Sequence, residues 1–109
     1  MPMVCTQEHN KSISEVGFYA VDCSGSLESD ETMTGTPTAS GQSEMTISSA
    51  TVTVAERVIE GKTVAAGKAI TFKASGGTTP GRYEVKFICA TTVTSARQIR
   101  GVFINLQAD

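Results

Sequence analysis

The chain has 109 residues, of which 39% are hydrophobic and 18% are charged, and its formal net charge is -2. This length is enough for one domain with its own core, but hardly for two. The Lys and Arg residues are scattered and no run approaches about 18 apolar residues, so neither nucleic-acid binding nor a membrane span is expected.

Threonine, serine and glycine take up the room that the low hydrophobic and charged fractions leave. Because threonine favours strands while glycine and serine favour turns, this composition predicts an all-β protein. The absence of Trp excludes a core built around a buried tryptophan, as in antibody domains.

The three cysteines, Cys5, Cys23 and Cys89, have the spacing of neither a disulfide framework nor a CxxC metal site. Cys23 and Cys89 lie on separate predicted strands and could meet across a sandwich. The N-terminus lacks the basic and apolar regions of a signal peptide, so we expect the chain to be made in the cytoplasm, where thiols stay reduced. Cys89 is therefore expected to be a small buried apolar residue.

The first third of the chain predicts an arm, a strand and a loop. Residues 1–12 are polar and irregular and predict a mobile N-terminal arm. Residues 14–21 predict the first strand, in which Val16 and Phe18 share one face. Residues 22–31 are rich in Ser, Gly and acidic side chains, which is typical of a loop.

An acidic cluster, Glu28, Asp30 and Glu31, lies in this loop. A calcium loop would place oxygen ligands at alternating positions before a bidentate Glu, and that pattern is missing. Asp22, Asp30 and Glu31 could supply paired carboxylates for acid–base catalysis, but no apolar pocket that would shift their pKa values is evident. We expect solvated side chains.

The middle third is harder to divide into strands. Residues 32–36 predict a short strand and residues 38–43 a turn. Residues 45–57 predict a long strand in which the apolar positions change face near residues 48–50, so we expect a bulge, a turn or a break there. A short segment, residues 62–64, follows between two glycine-marked turns.

The clearest pattern covers residues 70 to 91. Residues 69–75 and 82–91 predict two antiparallel strands joined by a tight turn, with one face of the second strand in a core. The side chains on that face are Tyr83, Val85, Phe87 and Cys89. A turn over residues 92–96 leads to the last strand, residues 97–106, and the total of about seven short strands is typical of a β-sandwich.

No residue of the chain forms a recognisable catalytic group. His9 lies with Cys5 in the predicted arm, whereas a Cys–His nucleophile needs both groups held in a cleft. Residues 76–78 (GGT) lack the lysine and the helix of a phosphate loop. Tyr83 has the position of a tyrosine corner, a structural role in which the hydroxyl bonds to nearby backbone. We assign no catalytic, cofactor-binding or metal-binding residue and expect no enzymatic activity.

Six short segments from the predicted strands and turns occur together in this sequence. They are residues 18–24 (FYAVDCS), 30–33 (DETM), 75–78 (SGGT), 81–83 (GRY), 91–92 (TT) and 100–106 (RGVFINL). In this set the chain resembles the small immunoglobulin-like virion proteins of tailed bacteriophages, including the fibre–tail adaptor group.

This resemblance implies an immunoglobulin-like antiparallel β-sandwich of about seven strands over residues 13–109. It also implies a non-enzymatic virion protein that joins tail and fibre components through its edges, its loops and the arm at residues 1–12. The expected partners are other virion proteins in multiple symmetric copies, with no nucleic acid, membrane or cofactor. Two alternatives stay open: a capsid decoration protein on the phage head, and a carbohydrate-binding module, for which the chain has few aromatic residues.

Overall fold

The computed structural model describes residues 3–40 and 45–109, and every regular element within them is a β-strand. The predicted all-β class is therefore confirmed. Nine strands are present in the described residues: β1 (Met3–Ser12), β2 (Gly17–Asp22), β3 (Met33–Ser40), β4 (Thr46–Val52), β5 (Arg57–Ile59), β6 (Lys62–Val64), β7 (Ala69–Ser75), β8 (Gly81–Thr91) and β9 (Arg97–Gln107). No helix among these residues is long and apolar enough to cross a membrane.

Two sheets share one hydrophobic core. The large sheet has the strand order β1-β9-β8-β3, and the small sheet has the order β2-β7-β4. Side chains from both sheets form a single buried cluster, which includes Phe72 from β7 and Phe87 from β8 with their ring centroids 5.3 Å apart. The arrangement is sandwich-like, and all strand pairs are antiparallel except β1 with β9.

The strands β7 and β8 lie where the alternating pattern predicted them, and Val85, Phe87 and Cys89 are buried. The predicted pairing between them is wrong, because β7 lies between β2 and β4 whereas β8 lies between β9 and β3. Alternation reveals which face of a strand is covered, but it does not reveal the neighbouring strand. The chain crosses between the sheets at Gly77, whose φ of 103° and contact with Leu106 leave no room for a Cβ atom.

Residues 3–12 form a strand, β1, where an irregular arm was predicted. This strand runs parallel to β9 at the edge of the large sheet, with a register shift near its start. Its covered side chains alternate along the strand but are mostly polar: Cys5, Gln7, His9 and Lys11. Because an amphipathic strand is recognised by apolar side chains at every second position, this one gives no signal in the sequence.

The middle strands differ from expectation in length more than in place. The strand predicted at residues 32–36 extends to Ser40 as β3, so a turn at residues 38–40 is wrong, and residues 41–43 lie outside the described residues. The predicted irregularity near residues 48–50 is confirmed, because the pairing of β4 with β7 shifts between Ser48 and Thr51. It is a bulge, in which Ser49 has a φ of 56°.

A small second core lies on the outer face of the small sheet. The hairpin of β5 and β6 places Ile59 and Val64 against Ala69 and Ala20, which point away from the main core. The hairpin therefore covers one part of this outer face and leaves the part around Phe18 and Lys73 open to solvent.

Candidate interaction site

The predicted arm contains two residues that could have formed a nucleophile pair, Cys5 and His9. Both pack against other side chains of the fold. His9 lies on β1 with its ring 4.9 Å from that of Tyr19 and 6.4 Å from that of Phe72. Burial lowers the pKa of His9, against the opposing influence of Glu60. Its Nε2 atom is buried without a hydrogen-bond partner in the described part of the chain.

The surroundings of His9 predict a pH-dependent stability. The folded pKa is below the unfolded value of 6.5, so the neutral ring favours folding above pH 6.5, and that contribution is lost as the pH falls through the folded pKa. We expect the free energy of unfolding to decrease between about pH 7 and pH 5, and the decrease to be smaller in His9→Gln. Urea unfolding at several pH values measures both slopes, and equal slopes would contradict the assignment to His9.

The three thiols are free and buried. A hydrogen bond with Cys5, together with burial, raises the pKa of the Cys23 thiol, and burial raises that of Cys89. A thiol is nucleophilic as its thiolate, so these pKa shifts favour inert core residues. Cys89 is the buried apolar side chain that the sequence predicted, and its Sγ lies 3.5 Å from the backbone oxygen of Thr34.

The acidic cluster divides into one buried and two exposed carboxylates. Glu31 is 0% exposed, so the prediction of a solvated side chain is wrong for this residue. Its Oε2 accepts hydrogen bonds from Thr91 Oγ1 at 2.5 Å and from Arg97 Nη1 at 3.1 Å. These bonds lower the pKa of Glu31, with the Thr91 hydroxyl contributing most. Glu28 and Asp30 are exposed, as predicted.

Asp22 also has a structural role. Its Oδ1 accepts hydrogen bonds from the backbone and the hydroxyl of Ser24, at 2.9 and 2.6 Å, and its Oδ2 lies 3.6 Å from Lys62 Nζ. These partners lower the pKa of Asp22 against the effect of burial. Asp22 and Glu31 therefore have separate partners and do not form the paired carboxylates of an acid–base catalyst.

Lys11 is among the largest fully buried side chains in the described residues, with 1% exposure. Its ammonium group donates to three backbone oxygens, those of Ser12 at 2.9 Å, Ile13 at 3.2 Å and Gly76 at 2.8 Å. Residues 76–78, which were considered as a phosphate loop, thus form a crossing between the sheets that the lysine holds to the end of β1. Nothing in the sequence marked Lys11, because its partners are backbone atoms.

Tyr83 makes the hydrogen bond expected of a tyrosine corner. It lies near the start of β8, and its hydroxyl donates to the backbone oxygen of Thr79 at 2.6 Å. We expect Tyr83→Phe to lower the free energy of unfolding by about 1 kcal/mol, since it removes one hydrogen bond and keeps the ring. Chemical denaturation measures the loss. No loss of stability in Tyr83→Phe would exclude the tyrosine-corner role. For comparison, Tyr19→Phe removes a hydroxyl that donates to the backbone oxygen of Asn10, and a similar loss is expected.

The outer face of the large sheet carries paired charges. Arg100 donates to both carboxylate oxygens of Glu84, and the Gly101 amide adds a third bond, which lowers the pKa of Glu84 to about 2. Arg82 lies 3.7 Å from the centroid of the Phe103 ring and is bonded to Glu8. Arg82, Glu84 and Arg100 are therefore paired within the sheet.

The outer face of the small sheet is different, because two of its cations, Arg57 and Lys73, have no carboxylate partner among the described ion pairs, whereas Lys62 of the β5–β6 hairpin pairs with Asp22. Here Phe18, from β2, is 77% exposed, and Lys73, from β7, lies with its Nζ 5.9 Å from the ring centroid. Arg57 borders the same depression of about 230 Å³, which we call the Lys73 groove. Its lining residues are Phe18, Tyr19, Ser49, Arg57, Thr71, Phe72 and Lys73.

The Lys73 groove is the best candidate interaction site in the described residues. The alternation placed Val16 and Phe18 on one face of a strand, but it did not indicate that this face is exposed, and the sequence could not bring Arg57 and Lys73 to it. No group of three or more His, Cys, Asp or Glu residues in ranges 3–40 and 45–109 has the geometry of a metal site. No protein-family model, curated protein or solved structure matches the chain.

Proposed function

We propose that this chain is an immunoglobulin-like structural module of a phage virion, a non-enzymatic adaptor that joins tail and fibre components. The strand order carries this proposal. When the β5–β6 hairpin is set aside, the remaining strands correspond in chain order to strands A to G of an immunoglobulin domain. The small sheet then has the order B-E-D and the large sheet contains C-F-G, while strand A lies parallel to G on the large sheet.

Two further observations support the same assignment. Tyr83, with its hydroxyl bonded to upstream backbone, lies near the start of the strand that corresponds to F, where an immunoglobulin domain has its tyrosine corner. Three of the segments that carry the phage resemblance also lie at strand ends or at a crossing between the sheets. Residues 75–78 follow β7, residues 81–83 begin β8, and residues 91–92 end it.

The edges of the sheets suit a protein that is soluble alone and then joins other subunits. The edge strands β3 and β4 have irregular pairing, at Gly35 and at Ser49, which discourages unspecific strand addition. The edge strand β2 pairs with β7 without a shift and carries the exposed ring of Phe18. We therefore expect docking at β2 and the face beside it. Residues 3–12 form β1, so the proposal does not require them to act as a mobile arm that becomes ordered on docking.

Locating the chain on an intact particle tests the proposal. We expect mass spectrometry to detect the chain at a measurable stoichiometry in particles purified from the culture that produces them. We also expect a gold-labelled antibody against the chain to bind the tail. Label on the head would favour the alternative of a capsid decoration protein. Particles without the chain would contradict any virion role.

The carbohydrate-binding alternative has less support. A sugar-binding platform needs open aromatic faces, and the ring of Phe103 on the large sheet is covered by Arg82. Phe18 is the most exposed aromatic side chain in the described residues, and it stands alone on its face. Binding on a glycan array that Phe18→Ala abolished would favour this alternative over the adaptor.

A further inference from the structure

The Lys73 groove combines features that favour a carboxylate-bearing ligand. Lys73 and Arg57 bring two positive charges to its rim, and Phe18 contributes an exposed aromatic surface. No Asp or Glu lines the groove itself; Glu56 borders the adjoining depression of about 290 Å³. Two like charges with no counter-charge in the lining attract an anionic partner.

The backbone at the groove is also unusual. Ser49 lines it in a left-handed conformation, with a φ of 56°, at the bulge of β4. Such conformations are uncommon for residues other than glycine and occur more often at binding sites. The bulge interrupts the pairing of β4 with β7 next to Thr71, which also lines the groove. The Lys73 groove is thus a shaped depression with polar and apolar walls.

The same chain presents a matching anionic surface. Residues 28–30, which we call the acidic loop, expose Glu28 and Asp30, and neither forms an ion pair in the described part of the chain. The loop is held in place by Glu31, whose Oε1 accepts from the Glu28 amide at 3.1 Å, and by Lys68, which donates to the Ser29 oxygen at 2.9 Å. Since the backbone is already fixed, less conformational entropy is lost on binding.

We propose that the Lys73 groove of one copy binds the acidic loop of a second copy of this chain. The charges are complementary, with Glu28 and Asp30 on one surface and Arg57 and Lys73 on the other. The two surfaces differ, so the contact is heterologous, and repetition gives a ring or a filament instead of a closed dimer. The inference goes beyond the proposed virion role, because it concerns the purified chain alone.

Sedimentation velocity of the purified chain over a range of concentrations tests this contact. We expect the wild-type chain to self-associate at low ionic strength and to dissociate when salt screens the charges. Lys73→Glu should weaken association by about tenfold or more, since it places like charges together. The control Lys86→Glu, which makes the same charge change on the large sheet, should associate as the wild type does.

A charge exchange makes the test specific for the two surfaces. Asp30→Lys should weaken association as Lys73→Glu does, whereas Glu60→Lys, an exposed control in the β5–β6 turn, should not. The double variant Asp30→Lys/Lys73→Glu should recover most of the affinity, because it restores opposite charges. Asp30 and Glu60 are exposed, and Lys73 and Lys86 lie on the outer faces of the small and the large sheet. Circular dichroism can confirm that each variant is folded.

A wild-type chain that stays monomeric at about millimolar concentration would overturn the proposal, as would a double variant no better than either single variant. A monomer that binds a Glu-rich peptide through Lys73 would assign the groove to another protein and would also overturn the second-copy contact. These outcomes are independent of the particle experiment, because a chain can be a virion component without associating with itself.

Discussion

Glu31→Ala is expected to lower the free energy of unfolding by about 3–5 kcal/mol, a large part of the total of a single domain. Glu31 is 0% exposed, and its carboxylate receives bonds from Thr91, from Arg97 and from the backbone of Glu28. Removing it leaves the largely covered guanidinium of Arg97 without its counter-charge. The Nε atom of Arg97 already has no hydrogen-bond partner in the described residues.

The effect should extend beyond one ion pair, because Glu31 connects two loops. It ends the loop between β2 and β3, while Thr91 begins the turn between β8 and β9 and binds the amides of Val93 and Thr94. Without the carboxylate, both loops lose a shared anchor at one end of the sandwich. Hydrogen exchange should therefore speed up at residues 92–96 as well as at residues 28–31.

Acidification should reproduce part of this loss. The folded pKa of Glu31 is below its unfolded value of 4.5, so the stabilisation is complete above about pH 4.5 and disappears as the pH falls through the folded pKa. Urea unfolding across this range measures the slope, which should be smaller in Glu31→Gln. Because other carboxylates titrate there too, the comparison of the two proteins is the informative quantity.

A double-mutant cycle separates the pair from the burial of each partner. Arg97→Met and Glu31→Gln should each destabilise, and the double variant should lose clearly less than the sum. Glu28→Gln provides the control, since that side chain is exposed in the same loop and should change stability by less than about 0.5 kcal/mol. If Glu31→Ala behaved like the control, the buried ion pair would have no role in stability.

The burial of Glu31 illustrates what a sequence of this kind leaves undetermined. The acidic loop and the strands on either side of it could be predicted from local composition and alternation. The partners of Glu31 lie 60 and 66 residues away, and only the folded chain brings them together. The charge of Glu31 therefore suggested exposure, although its partners allow it to be buried.

The strand β1 was missed for a related reason. Alternation found β7, β8 and β9 because their inward positions are apolar, as at Val85 and Phe87. The inward positions of β1 include His9, which packs against Tyr19 and Phe72, and Lys11, which bonds to backbone oxygens. A strand held by such contacts cannot be recognised from hydropathy. The Lys73 groove was missed in the same way, since three separate strands supply its cations and its ring.

Lys11→Met is expected to lower the free energy of unfolding by about 2–4 kcal/mol. Because methionine fills a similar volume, the decrease in the free energy of unfolding measures the contribution of the ammonium group more than that of packing. Three carbonyl oxygens, of Ser12, Ile13 and Gly76, lose a charged donor, and two of them are partly shielded from water. Equilibrium denaturation measures the difference, with the outward-facing substitution Lys86→Met as a control that should change stability by less than about 0.5 kcal/mol.

The position of Lys11 predicts where the structure should loosen. Its ammonium group joins the end of β1 to the crossing at Gly76, which connects the small sheet with the large one. In Lys11→Met the amides of β1 should therefore exchange faster than those of β8, which has paired strands on both sides. Lys11→Arg keeps the charge, but its planar group cannot reproduce the three bonds of an ammonium, so an intermediate loss is expected. Uniform exchange along both strands would show that Lys11 stabilises the whole domain and not the attachment of β1.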